Sequence, residues 1–430
     1  MAQHLLELDG RGLKHTQDEL ARYLPGLDVG QVALSEDRAL LPGTTLRALQ
    51  ISYGQRGSEA VLRRAGVRAH RPIDDADALD LLWQRDPDAM PMRAPPPASL
   101  RNWHLAAVKA QAAWSCWGGP EQIDWTGVKV GQIDTGYLPH AALGFPSSPW
   151  VDVDAGRTFF NPGMGSGQAG PGDGVDANVF RFDGHGTRVA SVICGHDATA
   201  TGGAYYGIAP RVPLVPVRIA DDVFIAHAQP ELAKGLRYLV NEAGVGVINL
   251  SMGFLPHWQI PVLDRAIDEA YEKGVILVCA AGQPLASVVS PAHGRRTIAA
   301  AGSTVDDIPW GASAHGSAVD WAAPADAIFR AEVRRDGSQS YAPDGDGTSY
   351  AAAITTGAAA LWLARHRDAL DAAYPKGWQR VEAFKAVARA TAKAMPHQRP
   401  GAFGAGVLQI DALLAAPLPA AAALGKERPA

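Results

Sequence analysis

Cysteine is nearly missing from this chain: 430 residues carry three, Cys116, Cys194 and Cys279. An odd count without Cys-x-x-Cys spacing excludes a disulfide framework and a thiolate zinc site. Two of the three lie inside apolar runs, RVASVIC and GVILVCAAG, and all three are expected to be reduced core residues. No apolar run reaches the roughly 18 residues that a membrane-crossing helix needs. Excess positive charge is missing too. Lys plus Arg number 39 against 44 Asp plus Glu, a formal charge of −5 with a pI near 6.2. That balance leaves no electrostatic footprint for nucleic acid or an anionic membrane surface. His-Glu-x-x-His, a Walker phosphate loop and a Gly-x-Ser-x-Gly elbow are all absent, which removes those zinc, phosphate-loop and α/β-hydrolase readings. The opening residues, MAQHLLELDGRGLKHTQDE, have neither the basic start nor the apolar stretch of a secretory signal, so the expected location is the cytoplasm.

What is present is a globular composition, 47% hydrophobic and 19% charged, too apolar for disorder. At about 150 residues per domain, the length allows two or three units, or one large domain with an extension. Residues 1–89 hold helix-period segments (TQDELARYL, SEAVLRRAGV, DADALDLLWQR) and one strand-like run, TLRALQISY, which together predict a small α+β N-terminal module. Residues 90–100 include MPMRAPPPAS, whose prolines predict an extended linker. Residues 101–415 alternate short apolar runs bounded by Gly and Pro with helical stretches. That texture predicts an α/β domain, a mainly parallel central sheet with helices on both faces. In such sheets, sites gather at the carboxyl ends of strands. The tail, residues 416–430 (APLPAAAALGKERPA), is low in complexity and expected to fray.

Three short motifs fall at the ends of predicted elements. Val128-Lys129-Val130-Gly131-Gln132-Ile133 runs into Asp134-Thr135-Gly136, which places a carboxylate where a strand must turn. Asp-Thr-Gly also marks proteases that share a proton between two carboxylates, but no second Asp-Thr-Gly or Asp-Ser-Gly exists here. Asp183-Gly184-His185-Gly186-Thr187 opens a helix with a sterically accessible imidazole. Gly345-Asp346-Gly347-Thr348-Ser349 opens another, where Ser349 alone would read as a helix cap. Together they supply a nucleophile, a base and a carboxylate that orients the base, in the chain order Asp, His, Ser.

From Trp103 to Leu414 the sequence resembles the subtilisin-like serine proteases, or subtilases. Tyr206-Gly207-Ile208-Ala209-Pro210 is similar to the family's turn after the histidine helix. Ile248-Asn249-Leu250-Ser251-Met252-Gly253 is similar to its substrate-binding strand, and GAFGAGVLQID (401–411) to its closing segment. The resemblance implies a subtilisin-like three-layer sandwich and a serine endopeptidase with Asp134, His185 and Ser349 as its catalytic residues. It also implies an oxyanion hole from Gln283 and the Ser349 N–H. Where the family reads Ala-Ala-Gly-Asn, this chain reads Ala280-Ala281-Gly282-Gln283, one methylene longer. Where the family has Met-Ala-x-Pro after the serine, this chain has Tyr350-Ala351-Ala352-Ala353, without the proline. Those departures keep two rivals open, a peptide-binding pseudoenzyme and an acyl-transfer variant.

By the same resemblance, Ser251, Met252 and Gly253 with Ala280, Ala281 and Gly282 wall the pocket for the residue before the cut, and Val289 and Ala292 approach its base. The walls carry no charge, so a small or medium apolar residue is expected there. Phe254 and Trp258 are placed either at a neighbouring subsite or in the core. The expected partner is a protein or peptide substrate, with residues 1–89 read as an intramolecular inhibitory propeptide or as a permanent regulatory or substrate-recruiting module. No cofactor is required. Calcium is left unassigned, with Asp173 and Asp176 in GPGDGVDANVF read as cation ligands or as a solvated loop.

Overall fold

The computed structural model describes residues 3–24, 33–35, 38–72, 101–160, 172–173, 184–199, 204–255, 257, 259–284, 286–333 and 338–429. The predicted segment DADALDLLWQR and the Pro-rich linker lie outside the described residues. The chain divides into two compact units, one of residues 1–86 with 254–258, the other of residues 87–253 with 259–430.

In the first unit β1 (Gln3–Leu8), β2 (Ala33–Ser35), β3 (Arg38–Pro42) and β4 (Val67–Pro72) form an antiparallel sheet in the order β2-β3-β1-β4. Helices α1 (Gly12–Tyr23) and α2 (Gly43–Arg64) pack on it around Leu6, Leu20, Leu41, Leu49 and Leu62. TLRALQISY is therefore helical, not a strand. Leu46 and Leu49, three apart, are buried on one face of α2, while Ile51 is 77% exposed, a helical spacing that strand alternation would not give.

The second unit is built on a seven-stranded sheet, every neighbouring pair parallel. It begins with two short helices, α3 (Trp103–Ala107) and α4 (Ala110–Trp114). Its strands are β5 (Val130–Asp134), β6 (Arg157–Thr158), β7 (Leu214–Arg218), β8 (Val247–Leu250), β9 (Ile276–Ala280), β10 (Ile298–Ser303) and β11 (Trp321–Pro324). Their spatial order is β11-β10-β9-β8-β5-β7-β6. β5, β7, β8 and β9 are buried at every position, as strands covered on both faces must be, and β7, β8 and β9 read as largely apolar runs. The covering helices include α5 (His185–Cys194), α6 (Gln229–Tyr238), α7 (Pro261–Glu272), α8 (Thr348–Ala373), α9 (Gly377–Thr391) and α10 (Ile410–Ala415). The run of Ala and Gly in α8 lets this helix lie close against β8 to β11, so residues Thr348 through Ala364 are buried. Among the described residues no helix is long and apolar enough to cross a membrane.

Two further expectations are corrected. Cys194 and Cys279 are buried, and burial pushes the Cys194 thiol up to about 12, but Cys116 is exposed in the short turn Ser115–Trp117. The tail does not fray. Ala416, Leu418, Ala421 and Leu424 pack against the core, Arg296 donates to the carbonyls of Glu427 and Arg428, and the Glu427 N–H donates to the Tyr271 hydroxyl at 2.9 Å. Apolar residues spaced along an otherwise simple sequence were enough to seat it.

His104 in α3 is fully buried, its Nε2 donating to the Tyr206 carbonyl at 2.8 Å, and burial lowers its pKa to about 4. The unfolded chain takes up this proton below about 6.5, the folded chain only below about 4, so stability falls as pH drops through that window. Burial lowers His140 and His196 in the same direction. The loss from His104 alone is about 3 kcal/mol. It is measured as the urea unfolding free energy of Ser349→Ala protein between pH 7 and pH 4; a flat profile, or one unchanged in His104→Asn, would rule out this cause.

Candidate active site

Because all seven strands are parallel, β5, β8 and β9 open on one edge of the sheet, and the chemistry-bearing residues follow from those three ends. Asp134 is the last residue of β5. Its Oδ1 accepts from the Thr135 N–H at 2.8 Å and lies 2.7 Å from His185 Nδ1, while its Oδ2 is buried without a hydrogen-bond partner among the described residues. His185 is the first residue of α5 and only 8% exposed. The helix start is pinned to the strand end by Gln132 Nε2, which donates to the Gly186 carbonyl at 2.8 Å, and by the Gly186 N–H, which donates to Thr135 Oγ1 at 3.1 Å. Thr187 Oγ1 accepts from the Leu138 N–H at 2.8 Å. An ionised carboxylate oxygen only accepts, so the short Asp134 contact assigns the ring proton to Nδ1 and leaves Nε2 as an acceptor.

That acceptor lies 3.1 Å from Ser349 Oγ, in the first turn of α8. Ser349 Oγ also lies 3.3 Å from the Ser251 carbonyl. The Ser349 carbonyl is held from behind by a buried relay that sequence reasoning did not pick out. Thr356 Oγ1 donates to Asn249 Oδ1 at 3.1 Å, Asn249 Nδ2 to Ser251 Oγ at 2.9 Å, and Ser251 Oγ to the Ser349 carbonyl at 3.1 Å. Asp346, three residues before Ser349, accepts from the Ala327 N–H at 2.8 Å, and burial raises its carboxyl above the usual range.

Gln283 follows β9 and reaches the start of α8. Its Oε1 accepts from the Thr348 N–H at 3.0 Å and from Thr348 Oγ1 at 2.5 Å. The Tyr350 N–H bonds the Gly347 carbonyl, so of the first N–H groups of α8 that of Ser349 has no partner among the described residues. Thr348 itself was missed as a separate residue, although the signal was in the motif: Thr135, Thr187 and Thr348 all sit within two residues of Asp134, His185 or Ser349.

Val289 lies between the two expected pocket walls. A Cβ on Gly253 would stand 2.3 Å from Val289 Cγ2, and one on Gly282, whose φ is +106°, would stand 2.7 Å from Val289 Cγ1. Glycine at both positions is what admits the valine. Ala281 is tied to the sheet by its N–H to the Ala300 carbonyl at 3.0 Å, and its own carbonyl accepts from the Val289 N–H at 2.9 Å. At Gly253 the backbone is already paired: its N–H donates to Val223 and its carbonyl accepts from Ile225, each at 3.0 Å. Ser251 and Met252, both buried, make no backbone-to-backbone hydrogen bond among the described residues. Ala280 and Ala292 are buried as well, as is Phe254. Trp258 and Asp176 lie outside the described residues, and Asp173 pairs in a short strand with Gly136. Among the described residues no group of three or more His, Cys, Asp or Glu is arranged to hold a metal ion.

The model of the subtilase family matches residues 126–406. An extracellular protease of Xanthomonas campestris is 28% identical over 455 residues, 95% of this chain and 74% of its own length. Subtilisin BL of Lederbergia lenta is 30% identical over 262 residues, 60% of this chain and 82% of its own. A solved protease structure from Pseudoalteromonas arctica has a TM-score of 0.60 at 23% identity, over 75% of this chain and 99% of that one, which shows the fold. The expectation of a cytoplasmic location does not stand. The Xanthomonas relative is named extracellular, and so is a serine proteinase of Thermus that is 34% identical over 263 residues, 60% of this chain and 58% of its own. Those names point to secretion. The cytoplasmic expectation rests on an absence at the start of the sequence, and a folded catalytic unit does not encode its compartment.

Proposed function

Since the chain belongs to the subtilase family and is a subtilisin-like serine peptidase, we propose that Asp134, His185 and Ser349 carry its peptide-bond hydrolysis. His185 Nε2 takes the Ser349 hydroxyl proton as Oγ attacks the scissile carbonyl carbon. Asp134 holds the Nδ1–H and stabilises the imidazolium that forms. The negative oxygen is met by the Ser349 N–H at the positive end of α8, which has no partner among the described residues, and by Gln283 Nε2. His185 then protonates the leaving amine, and water, deprotonated by the same imidazole, releases the acyl group. The observation that carries this reading is the continuous contact Asp134 Oδ1 to His185 Nδ1 at 2.7 Å and His185 Nε2 to Ser349 Oγ at 3.1 Å. Every step uses groups of the chain itself and water, and calls for no cofactor.

The substrate is a protein or peptide with a small apolar residue before the cut, because Val289 occupies the space between Gly253 and Gly282. Residues 1–89 serve as an intramolecular inhibitory module removed on activation.

Intact-protein mass spectrometry after incubation with a fluorophosphonate at pH 8 tests both parts. One adduct is expected on wild type and none on Ser349→Ala, and the labelled chain is expected to begin near Ser99 to Trp103. A folded wild type that stays unlabelled, alone and after removal of residues 1–99, would overturn the reading. Labelling confined to the intact chain would overturn the processing step.

A further inference from the structure

We infer that residues 223–225 close the cleft beyond the second residue before the cut, so that this enzyme grips a peptide by no more than two residues on that side; this rests on the hydrolytic reading given above. β5 stops at Asp134, and beyond it the segments that follow its sheet neighbours β7 and β8 meet, Phe224 pairing in parallel with Gly253. A peptide held there by its backbone would have to lie as an added strand along the segment that follows β8. In an extended chain the N–H and C=O groups of alternate residues point to one edge, so Ser251 and Gly253 share an edge and Met252 presents the other. The shared edge faces the reaction at its first position, where the Ser251 carbonyl lies 3.3 Å from Ser349 Oγ. At its second position it is taken: the Gly253 N–H donates to the Val223 carbonyl and its carbonyl accepts from the Ile225 N–H, each at 3.0 Å.

Register then sets the reach. A peptide parallel to this edge would run back onto Asn249, which already pairs with Gln132 on one side and Val278 on the other, so only the antiparallel direction is open. With the residue before the cut opposite Ser251, the third residue before the cut falls opposite Gly253. Both of its backbone groups meet a residue whose own are satisfied. Paired strands stand about 4.8 Å apart, half the width that an intervening strand requires. The closing segment is also anchored. The Phe224 N–H donates to Asp222 Oδ1 at 2.7 Å, Ile225 is fully buried, and its carbonyl accepts from the Ala228 N–H at 3.0 Å. Further on, Gln229 Oε1 accepts from the Ile260 N–H at 2.9 Å, which ties the two segments together a second time. A longer peptide therefore leaves the cleft after its second residue and draws no binding from its third and fourth.

The experiment is a series of acetylated peptide amides with one, two, three and four residues before the cut, identical at that residue and beyond it, with kcat/KM measured for each. In wild type the ratio of the four-residue to the two-residue substrate is expected to stay within about threefold. N-methylation of the third residue, which removes the N–H that the Gly253 carbonyl would otherwise accept, is expected to change nothing. Ile225→Pro has no N–H to give Gly253 and is expected to raise the four-to-two ratio by about tenfold. A wild-type ratio of about tenfold or more, or a comparable loss on N-methylation, would show the third residue paired with Gly253 and overturn the inference. An unchanged ratio in folded Ile225→Pro would overturn it as well. Should that variant unfold, the wild-type series with its N-methylated member decides alone. A length dependence bears on the closed cleft only, whereas turnover that survives Ser349→Ala would bring down the hydrolytic reading and this inference with it.

Discussion

Ser349→Ala is expected to lower turnover by about 10⁶-fold, and Asp134→Asn by about 10⁴-fold, with little change in substrate affinity. The first magnitude is that of a subtilisin deprived of its own nucleophile, so it is a scale carried over from a relative. Without Oγ there is no atom to attack, and what remains is the binding of substrate and oxyanion. The second value has a different origin. Asp134 Oδ1 accepts from the Thr135 N–H and faces His185 Nδ1 at 2.7 Å. One oxygen serves both contacts, so an asparagine that keeps its oxygen there buries its NH2 in the place of the unpartnered Oδ2 and leaves the imidazolium without a counter-charge, while one that flips sets its NH2 against the ring. In the flipped form the ring must accept at Nδ1 and carry its proton at Nε2, which can no longer receive the hydrogen of Ser349 Oγ 3.1 Å away. The geometry survives, and either the charge or the tautomer is wrong. Single-turnover measurements on a peptide amide decide it, and the double variant should be no slower than Ser349→Ala alone. Asp134→Asn activity within tenfold of wild type would show that something other than Asp134 orients the imidazole.

The candidate site was largely legible because each of its three residues sits in a short motif at the end of an element, where glycines and a following threonine mark the turn. Asp134 ends a short strand marked by Val130 and Ile133, and parallel topology then brings the ends of β5, β8 and β9 to one edge. What surrounds those residues was not legible. The bond from Thr348 to Gln283 joins positions 65 apart, and nothing local to either sequence segment specifies it. In sequence, Gln283 is an amide donor one methylene longer than the family's asparagine. The two bonds to its oxygen supply a constraint that pattern alone does not contain. The relay of Thr356, Asn249 and Ser251 spans more than a hundred residues and looks, in sequence, like ordinary polar positions in a strand and a helix. TLRALQISY misled because β-branched and aromatic residues suggest a strand, while the burial of Leu46 and Leu49 on one side selected a helix. The tail misled in the opposite sense. Its composition is simple, yet Leu418 and Leu424 find apolar surface and Arg296 finds the carbonyls of Glu427 and Arg428.

Val289→Gly is expected to raise kcat/KM for substrates with Phe or Leu before the cut by about 10²-fold while changing that for Ala by no more than a few-fold. Wild type is expected to prefer Ala or Gly over Phe. The valine methyls stand where a Cβ on Gly253 or Gly282 would collide, so the gap between the walls is filled in wild type. Removing them opens apolar space on a rigid frame. Gly253 is held by Val223 and Ile225, Ala281 by Ala300, and Gly282 by the Ala314 N–H, which donates to its carbonyl at 2.8 Å. A frame bonded at each wall resists collapse, so the space persists and a large side chain can enter it. Burying such a side chain is worth about 1.5–3 kcal/mol, which converts to roughly 10- to 150-fold in the specificity ratio. The same substitution costs folding stability, because a buried valine leaves a cavity and glycine adds chain entropy; about 2–4 kcal/mol is expected in the free enzyme. Bound substrate offsets part of that loss, so the variant should be more protected from unfolding by a Phe peptide aldehyde than by an Ala one, and wild type the reverse. A peptide series varied only at the residue before the cut reads the preference. An unchanged order of Ala over Phe in a folded Val289→Gly protein would mean that the side chain before the cut is bound elsewhere and that the space between Gly253 and Gly282 is simply core.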